Sequence, residues 1–434
     1  MAVALNEPAE RDATGVTECW RRIPYHPVVT QQRPKMPRSR KSSTTFHLEE
    51  HSVAKAQFIS AYLSVLLRIM ERSNSVRDVY ICDLMCGDGV YSNGAKGTAY
   101  EVMAAAKRHF YADAAARGGS GIAVNLLLND SGDSDVEDGI SKACHVKKSC
   151  ASLIRTIEND TPYKVSISEH DALDLAHGTL GQCGGDPRRR FLLIFDPRGY
   201  SRVTPGSLRE LLSHAGVEVF LFVPVSQMYR TSLAIQKRGH FDGSGRMKTW
   251  LDALWGAEEV EAEGAVGFLG QLRQRLAKML GDGHYVGTFQ LDSASSQNSY
   301  GLLFISQHLR GLEVMNEVKW DYDPIKGEGH RRDRFQFVSF SPARDQFSQS
   351  LVSFIQSAGA GRSNRDVAAF TITRGFQVKD AKAVLDPFKR AGSIVTLDSG
   401  GRRARGYHLN RKTRDEQFRW IRWVPITTQS HLPL

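Results

Sequence analysis

The amino-acid sequence predicts an α/β fold, in which a parallel sheet is covered by helices on both faces, followed by a smaller domain of helices and a hairpin. Three observations lead to this prediction. Short apolar runs alternate with helical periodicity through residues 43–335. A glycine-rich turn follows the first apolar run, as in nucleotide-binding sheets. The composition then changes, and 434 residues are enough for two or three domains.

The composition indicates a globular protein with a basic surface. Apolar residues make up 41% of the chain, and the formal net charge is +10. This charge favours nucleic acid over membrane surfaces as a partner, although a merely soluble basic protein would show it too. The six cysteines form no CxxC pair, so we predict no metal site and a reducing environment. Without a secretory leader or an apolar run of about 18 residues, we expect a cytoplasmic protein with no membrane partner.

The elements of the larger domain are predicted from periodicity. The first helix covers residues 46–70, the first strand 78–84 and an alanine-rich helix 98–115. Four more strands are predicted at 122–128, 165–168, 191–195 and 217–223, with helices at 135–158 and 204–214 between them. A helical insertion at about 227–281 precedes two last strands at 285–291 and 300–306. Five parallel strands closed by an adjacent pair form the sheet of the methyltransferase-type Rossmann-like fold.

The ends of the chain differ from this domain. Residues 1–42 predict a disordered basic arm, which either contacts phosphates or is a solvated tail. Residues 342–412 predict a winged helix-turn-helix domain, with helices at 346–357, 364–370 and 378–389 and a hairpin from 392–397 to 406–409. Residues 413–434 are interpreted as a tail. Winged helices bind nucleic acid or mediate protein contacts, and three arginines at the hairpin tip favour nucleic acid: Arg402, Arg403 and Arg405.

The first candidate site is the loop Asp83-Leu84-Met85-Cys86-Gly87-Asp88-Gly89, at the end of the first strand. Glycines allow positive φ and close backbone approach to a ligand. S-adenosylmethionine carries no phosphate, so its loop must hold a methionine moiety, and Asp83 would bind the ammonium group. We predict that Asp83, Cys86, Gly87 and Gly89 contact this cofactor. An ordinary βα turn is the alternative.

Two aspartates at the ends of the next strands complete the predicted cofactor site. Asp130 would accept hydrogen bonds from the ribose hydroxyls, and Asp171 from the adenine amino group. Asp174 is interpreted as a helix cap. Aspartates are also common at the start of loops for local reasons, which is the alternative for both positions.

The acceptor site is predicted from the segment Asp196-Pro197-Arg198-Gly199-Tyr200. Amino-methylating enzymes of this fold often carry Asp-Pro-Pro-Tyr here, so Asp196 and Pro197 would accept from the substrate amine while Tyr200 stacks on a base. Arg198 departs from that pattern and is assigned to nucleic-acid binding. A tight Asp-Pro turn is the alternative.

His51 and Lys55 lie at i and i+4 on one face of the first helix. We predict that His51 acts as a base or holds the substrate and that Lys55 contacts nucleic acid. A solvated pair is the alternative.

These motifs together resemble the three-Cys-motif partner protein (TcmP) family over residues 46–412. The similar features are His51-Ser52-x-x-Lys55, Asp83-Leu84-x-Cys86-Gly87-x-Gly89, Asp196-Pro197-Arg198-Gly199-Tyr200, Gly311-Leu-Glu-Val-Met-Asn-Glu-Val-Lys-Trp320 with Asp323-Pro324, and the C-terminal winged helix. The basic arm and Arg198 depart from the family, which usually has Asp-Pro-Phe-Gly-Tyr. The resemblance implies a methyltransferase-like domain, a winged helix and a radical-SAM-like partner protein.

Three functions follow as hypotheses. The first is an S-adenosylmethionine-dependent methyltransferase acting on DNA or RNA, with amino-methylation of a base as the favoured reaction. The second is a non-catalytic adaptor that binds nucleic acid and the radical-SAM-like partner. The third is a DNA-binding regulator whose larger domain senses a ligand.

Overall fold

A computed structural model describes residues 48–114, 118, 121–131, 142–197, 203–238, 245–256, 258–293, 298–323, 327, 329–330, 342–409 and 418–424. The predicted basic arm at 1–42 and the predicted site residues Arg198 and Tyr200 therefore lie outside the described residues.

The central sheet of the larger domain has eight strands among the described residues, in the order β3-β2-β1-β4-β5-β7-β6-β8. The strands are β1 (Asp78–Asp83), β2 (Ala123–Asn129), β3 (Lys164–Ser168), β4 (Arg189–Phe195), β5 (Val217–Val223), β6 (Tyr285–Asp292), β7 (Ser299–Ser306) and β8 (Gly329–His330). β1 to β5 pair in parallel, and β7 is antiparallel to both β5 and β6. This arrangement confirms the prediction of a Rossmann-like fold of the methyltransferase type.

Helices cover both faces of this sheet. They are α1 (Glu50–Glu71), α2 (Thr98–His109), α3 (Lys142–Ser149), α4 (Ala151–Asp160), α5 (Ala172–Cys183), α6 (Pro205–Leu212), α7 (Val225–Arg238), α8 (Gly245–Leu254), α9 (Gly264–Leu280) and α10 (Leu309–Tyr322). The helices α1, α2, α4 and α10 share one apolar core with the sheet, and α5 to α9 share the other. Because both faces are covered, the inner strands are continuous apolar runs, and every residue of β1 and β5 is buried.

The helix α1 is long and apolar because it is a core helix. Among the described residues it is the one helix that could cross a membrane by length and composition, yet 56% of its apolar window is buried inside the fold. It packs against α2, α10 and β6.

Two helices differ from the prediction. The helix predicted at 135–158 is two helices in the described part of the chain, α3 and α4, separated at Cys150. The alanine-rich helix α2 ends at His109 and continues as a π-helical turn, Phe110–Ala114.

The C-terminal domain contains three helices and a three-stranded sheet among the described residues. These are α11 (Pro342–Gln356), β9 (Arg362–Ser363), α12 (Asn364–Thr373), α13 (Val378–Arg390), β10 (Ile394–Leu397) and β11 (Trp420–Trp423), and the strand order is β10-β11-β9. The prediction that β10 pairs with residues 406–409 is wrong, because β10 pairs with β11. Tyr407 and Leu409 instead lie buried in the small core. The interpretation of residues 413–434 as a tail is therefore wrong for β11.

The two domains are joined through α10. The Asn316 side chain donates to the carbonyl of Ile372 (2.8 Å), and the Trp320 indole donates to the carbonyl of Gly375 (2.9 Å). Trp320 is also part of the C-terminal core. The helix α10 therefore packs in both domains.

Candidate functional site

The carboxyl ends of the parallel strands bring three predicted site residues to one edge of the sheet. Asp83 ends β1, Asp130 follows β2 and Asp196 follows β4. Since β1 lies between β2 and β4 in parallel register, these carboxylates belong to adjacent strands. The charges of Asp130 and Asp196 both raise the pKa of Asp83, so the three lie within electrostatic reach of one another. This edge is where open α/β sheets bind ligands.

Asp83 is a buried carboxylate with no hydrogen bond. Its side chain is completely buried, and neither carboxylate oxygen has a hydrogen-bond partner among the described residues. The Met85 backbone N–H lies close enough to lower the pKa slightly but does not complete a hydrogen bond. Burial dominates and raises the pKa of Asp83 to about 8, while the positive charge of Lys55 opposes this shift. A buried acceptor without a donor is costly and points to a missing ligand.

The glycine loop after Asp83 has the predicted backbone. Gly87 and Gly89 adopt positive φ values of 64° and 78°, which side chains rarely allow. Both glycines also lie close to other side chains, because a Cβ on Gly87 would lie 2.7 Å from the Tyr91 hydroxyl, and one on Gly89 would lie 2.9 Å from the sulfur of Cys150. The loop is therefore lined by Tyr91 on one side and by the junction of α3 and α4 on the other.

Cys86 is a packing residue within this loop. It is 3% exposed and belongs to the apolar core, and its backbone N–H donates to the Asn129 carbonyl (2.9 Å). Burial raises the pKa of its thiol well above the usual value. The thiol therefore gives no support to the predicted cofactor contact of Cys86.

Asn129 holds three strand ends together, a role that the sequence did not reveal. Its amide donates to the carbonyls of Leu84 and His170 (both 3.0 Å), and its oxygen accepts from the Ser168 hydroxyl and the His170 N–H (both 2.9 Å). All four hydrogen-bonding positions of a carboxamide are thus used. Asn129 is completely buried, so it fixes the ends of β1, β2 and β3 relative to one another. An Asn-Asp pair at a strand end was the only signal in the sequence.

The two remaining predicted cofactor residues have local partners. Asp130 is 9% exposed, and its carboxylate lies 3.9 Å from the ammonium of Lys142 on α3. Asp171 is the N-cap of α5, since its Oδ1 accepts from the backbone N–H groups of Leu173 (2.9 Å) and Asp174 (3.2 Å). The prediction that Asp174 is the cap is wrong, because the helix begins at Ala172. The adenine contact of Asp171 stays a prediction, with one carboxylate oxygen already used.

Lys55 forms an ion pair with Asp196, 141 residues away in the chain. Lys55 is 4% exposed, whereas the side chain of Asp196 is 32% exposed, so the carboxylate faces the opening of the site. The ammonium also lies 4.6 Å from the centre of the Phe222 ring, within cation–π range. This placement contradicts the prediction that Lys55 contacts nucleic-acid phosphates, because its charge is inside the protein.

His51 lies on the same helix face and takes part in an aromatic cluster. Its ring stacks on Tyr300 at 4.3 Å, and Tyr300 stacks on Phe222 at 5.1 Å. Glu49 lies 3.2 Å from Nδ1, but burial dominates and lowers the pKa of His51. The neutral imidazole is the form suited to the predicted base. Tyr300 and Phe222 were missed because aromatic residues in strands are typical of a core.

The predicted nucleic-acid residues Arg402, Arg403 and Arg405 lie on the C-terminal domain. All three are exposed on the turn that follows β10. Arg402 lies 3.5 Å from the Asp398 carboxylate across that turn, and its side chain is 86% exposed.

Comparison with known proteins identifies no family. No family model matches the chain, and no curated protein matches it. Among solved structures, the chain is similar to an O-methyltransferase from Bacillus cereus in complex with SAH, at 11% identity, covering 60% of this chain and 92% of that chain, with a TM-score of 0.28.

Proposed function

We propose that the chain is an S-adenosylmethionine-dependent methyltransferase that acts on nucleic acid. The cofactor proposal depends on Asp83 at the carboxyl end of β1, a completely buried acid that accepts no hydrogen bond from the part of the chain that the structure describes. A cationic ligand with N–H donors satisfies such a group, and the ammonium of a methionine moiety is one. When bound, S-adenosylmethionine supplies an electrophilic methyl group on its sulfonium.

The other residues fit the same cofactor. Asp130, at the end of the neighbouring strand, is placed to accept from a ribose diol, and Asn129 fixes the distance between the two strand ends. Asp171 is retained as the proposed adenine contact. Gly87 and Gly89, both at positive φ, would let the backbone of the loop approach the cofactor closely.

The proposed acceptor site is formed by Asp196 and Pro197. Oδ2 of Asp196 accepts from Lys55, so an incoming amino group would donate to Oδ1 and to the Pro197 carbonyl. These acceptors would orient the nitrogen lone pair toward the methyl group, and the carboxylate would receive the proton that the methylated nitrogen loses. His51, held neutral by burial, would contact the same substrate.

The nucleic-acid part of the proposal depends on the C-terminal domain. We propose that this domain is a winged helix. Its element order of helix, short strand, two helices and two strands supports this proposal, and its exposed arginines favour a polyanion. We further propose that the chain belongs to the TcmP family and acts in the cytoplasm with a radical-SAM-like partner.

One observation favours a second candidate, the non-catalytic adaptor. Lys55 donates to Oδ2 of Asp196, so one of the two carboxylate oxygens of the proposed acceptor site is already engaged by the protein itself. An adaptor would keep the fold and the C-terminal domain while losing methyl transfer.

Calorimetry with S-adenosylmethionine and S-adenosylhomocysteine separates these candidates. The methyltransferase binds both, and Asp83→Asn weakens binding by about 100-fold. Asp174→Asn, a change at an exposed acid on α5, leaves binding unchanged. Absence of binding at millimolar ligand to the folded wild-type chain would reject the proposal and leave the adaptor. A bound cofactor without methylation of DNA or RNA would reject only the nucleic-acid acceptor.

A further inference from the structure

The outer face of the C-terminal sheet carries an exposed tryptophan on its central strand. Ile421 of β11 is completely buried in the core, so the alternation of a strand directs Trp420 and Arg422 to the opposite face. Trp420 is 38% exposed, one of few large apolar side chains exposed among the described residues. A tryptophan is highly buried on average, and the exposed ring of Trp420 does not stand by itself, because the Phe418 ring lies against it.

Arginines and a second aromatic ring surround this tryptophan. Leu397 of β10 pairs with Trp420, and Arg403 bridges to Leu397 from the other side, so Arg403 projects in the same row. Phe418 meets the Trp420 ring edge-on at 5.6 Å, and the Arg365 guanidinium lies 5.4 Å from the centre of Phe418. We call this surface the Trp420 face and define it by Arg365, Arg403, Phe418, Trp420 and Arg422.

Two carboxylates near this face, among the residues that the structure describes, are already engaged. Asp398 accepts from the backbone N–H groups of Gly400 and Arg402 (both 2.9 Å). Asp366 belongs to the capping box of α12 with Ser363. The arginines therefore present a positive surface around the aromatic rings, which complements a partner that has both negative charge and flat apolar faces.

We propose that the Trp420 face binds unpaired nucleotides of a nucleic-acid strand. Bases would stack on Trp420 and Phe418 while Arg403 and Arg422 contact the flanking phosphates, which is the recognition chemistry of single-strand binders. A duplex keeps its bases stacked on each other and offers such a face only its phosphates. The inference rests on the proposed function for nucleic acid as the substrate, but it places binding on a strand face of the C-terminal sheet.

The experiment is fluorescence anisotropy of the full-length chain with labelled oligonucleotides of about 12 nucleotides, single-stranded and duplex. Trp420→Thr, which keeps strand propensity, should weaken single-strand binding about 5- to 150-fold, and Trp420→Phe should restore most of it. Tyr111→Thr is the matched control, because Tyr111 is an exposed aromatic residue (48%) of the larger domain. Arg403→Ala and Arg422→Ala should each reduce the salt slope by about 0.7.

Several outcomes overturn the inference. Trp420→Thr could bind single strands as tightly as the Tyr111→Thr control, or lose duplex and single-strand affinity equally. Sedimentation could show a wild-type dimer that Trp420→Thr dissociates, which would make the face an interface between copies. A Trp420→Phe variant as weak as Trp420→Thr, with matching thermal unfolding of both, would also refute stacking.

The cofactor proposal is tested separately by calorimetry on the same variants. A chain that binds S-adenosylmethionine but no oligonucleotide refutes the Trp420 face and leaves the cofactor site intact. A chain that binds single strands through Trp420 but binds no cofactor refutes the cofactor site and supports the Trp420 face.

Discussion

Buried carboxyl groups at the two ends of the central sheet differ in whether the described residues donate hydrogen bonds to them. At the amino end, Asp78 of β1 accepts from the guanidinium groups of Arg77 (2.7 and 2.9 Å) and Arg189 (3.2 Å). Five residues later on the same strand, Asp83 is equally buried and accepts no hydrogen bond from any described residue. Asp78 and Asp83 therefore differ in hydrogen bonding and not in burial.

Glu218 extends the comparison. It is the second residue of β5, at the amino end, and accepts from the hydroxyls of Tyr62 and Ser306, both at 2.7 Å. Burial raises the pKa of Glu218 too, while these two hydrogen bonds lower it. The amino end of the sheet is thus satisfied by the protein itself. At the carboxyl end, Asp83 accepts no hydrogen bond from the described residues, and the donors of a ligand would satisfy it. The amino end is therefore structural, and the carboxyl end is the candidate site.

The largest effect is expected at the satisfied end. Glu218→Ala should lower the free energy of unfolding by about 3 kcal/mol, because it leaves the buried Tyr62 hydroxyl without its acceptor and opens a cavity. Glu218→Gln, which keeps an acceptor oxygen, should lower it by less. Urea unfolding measures both. An alanine variant as stable as wild type would show that the amino end is not structural.

At the other end, Asp83→Asn should reduce cofactor affinity by about 100-fold, since truncating one partner of a buried charge contact costs about 2–5 kcal/mol. The variant should unfold no more easily than wild type, because it replaces a buried acid that accepts no hydrogen bond from the described residues. Calorimetry and urea unfolding of one preparation measure the two quantities. Lost stability with unchanged affinity would reverse the roles that we assign to the two ends.

The pH dependence follows from the raised pKa of Asp83. Between its ordinary value of 3.8 and about 8, the folded chain keeps a proton that the unfolded chain releases. This group therefore makes the free energy of unfolding fall as pH rises through that window, by up to about 1.4 kcal/mol per pH unit, and Asp83→Asn should remove this slope. Cofactor affinity should rise over the same window, because the ammonium requires the ionised acid. A slope that is the same in wild type and Asp83→Asn contradicts the assignment.

The smallest effect is expected for Lys55. Its charge lowers the pKa of Asp83, so Lys55→Met should move the midpoint of pH-dependent cofactor binding upward, by about one pH unit or less. Lys248→Met on α8 is the control, because Lys248 is exposed and pairs with Asp252. Calorimetry at several pH values gives the midpoint. A downward shift would mean that Lys55 does not act on Asp83.

Particular residues show how far the sequence reaches. The strand β5 was predicted with its observed bounds, Val217–Val223, because a fully buried parallel strand is a continuous apolar run between turns. The shared face of His51 and Lys55 was predicted from their i, i+4 spacing, and both side chains are buried there. Asp83 was predicted at a strand end before two glycines with positive φ, and it lies there.

Pairings between distant segments could not be predicted in the same way. The antiparallel partner of β10 was placed at 406–409, whereas it is β11. Both segments have strand-like residues, and a short apolar run carries no information about which edge it joins. For the same reason the sequence did not predict the ion pair between Lys55 and Asp196, and Lys55 was interpreted as a surface cation.

The sequence by itself determined the periodicities, the strand order along the chain and the positions of acids at strand ends, because these depend on local geometry and on the burial of apolar faces. Only the tertiary structure decided which acids are satisfied: Asp78 by its arginines, Asp196 by Lys55 and Asp83 by none of the described side chains. Hydrogen-bond satisfaction depends on donors brought from distant segments, and the folded arrangement of strands and helices decides where those donors lie.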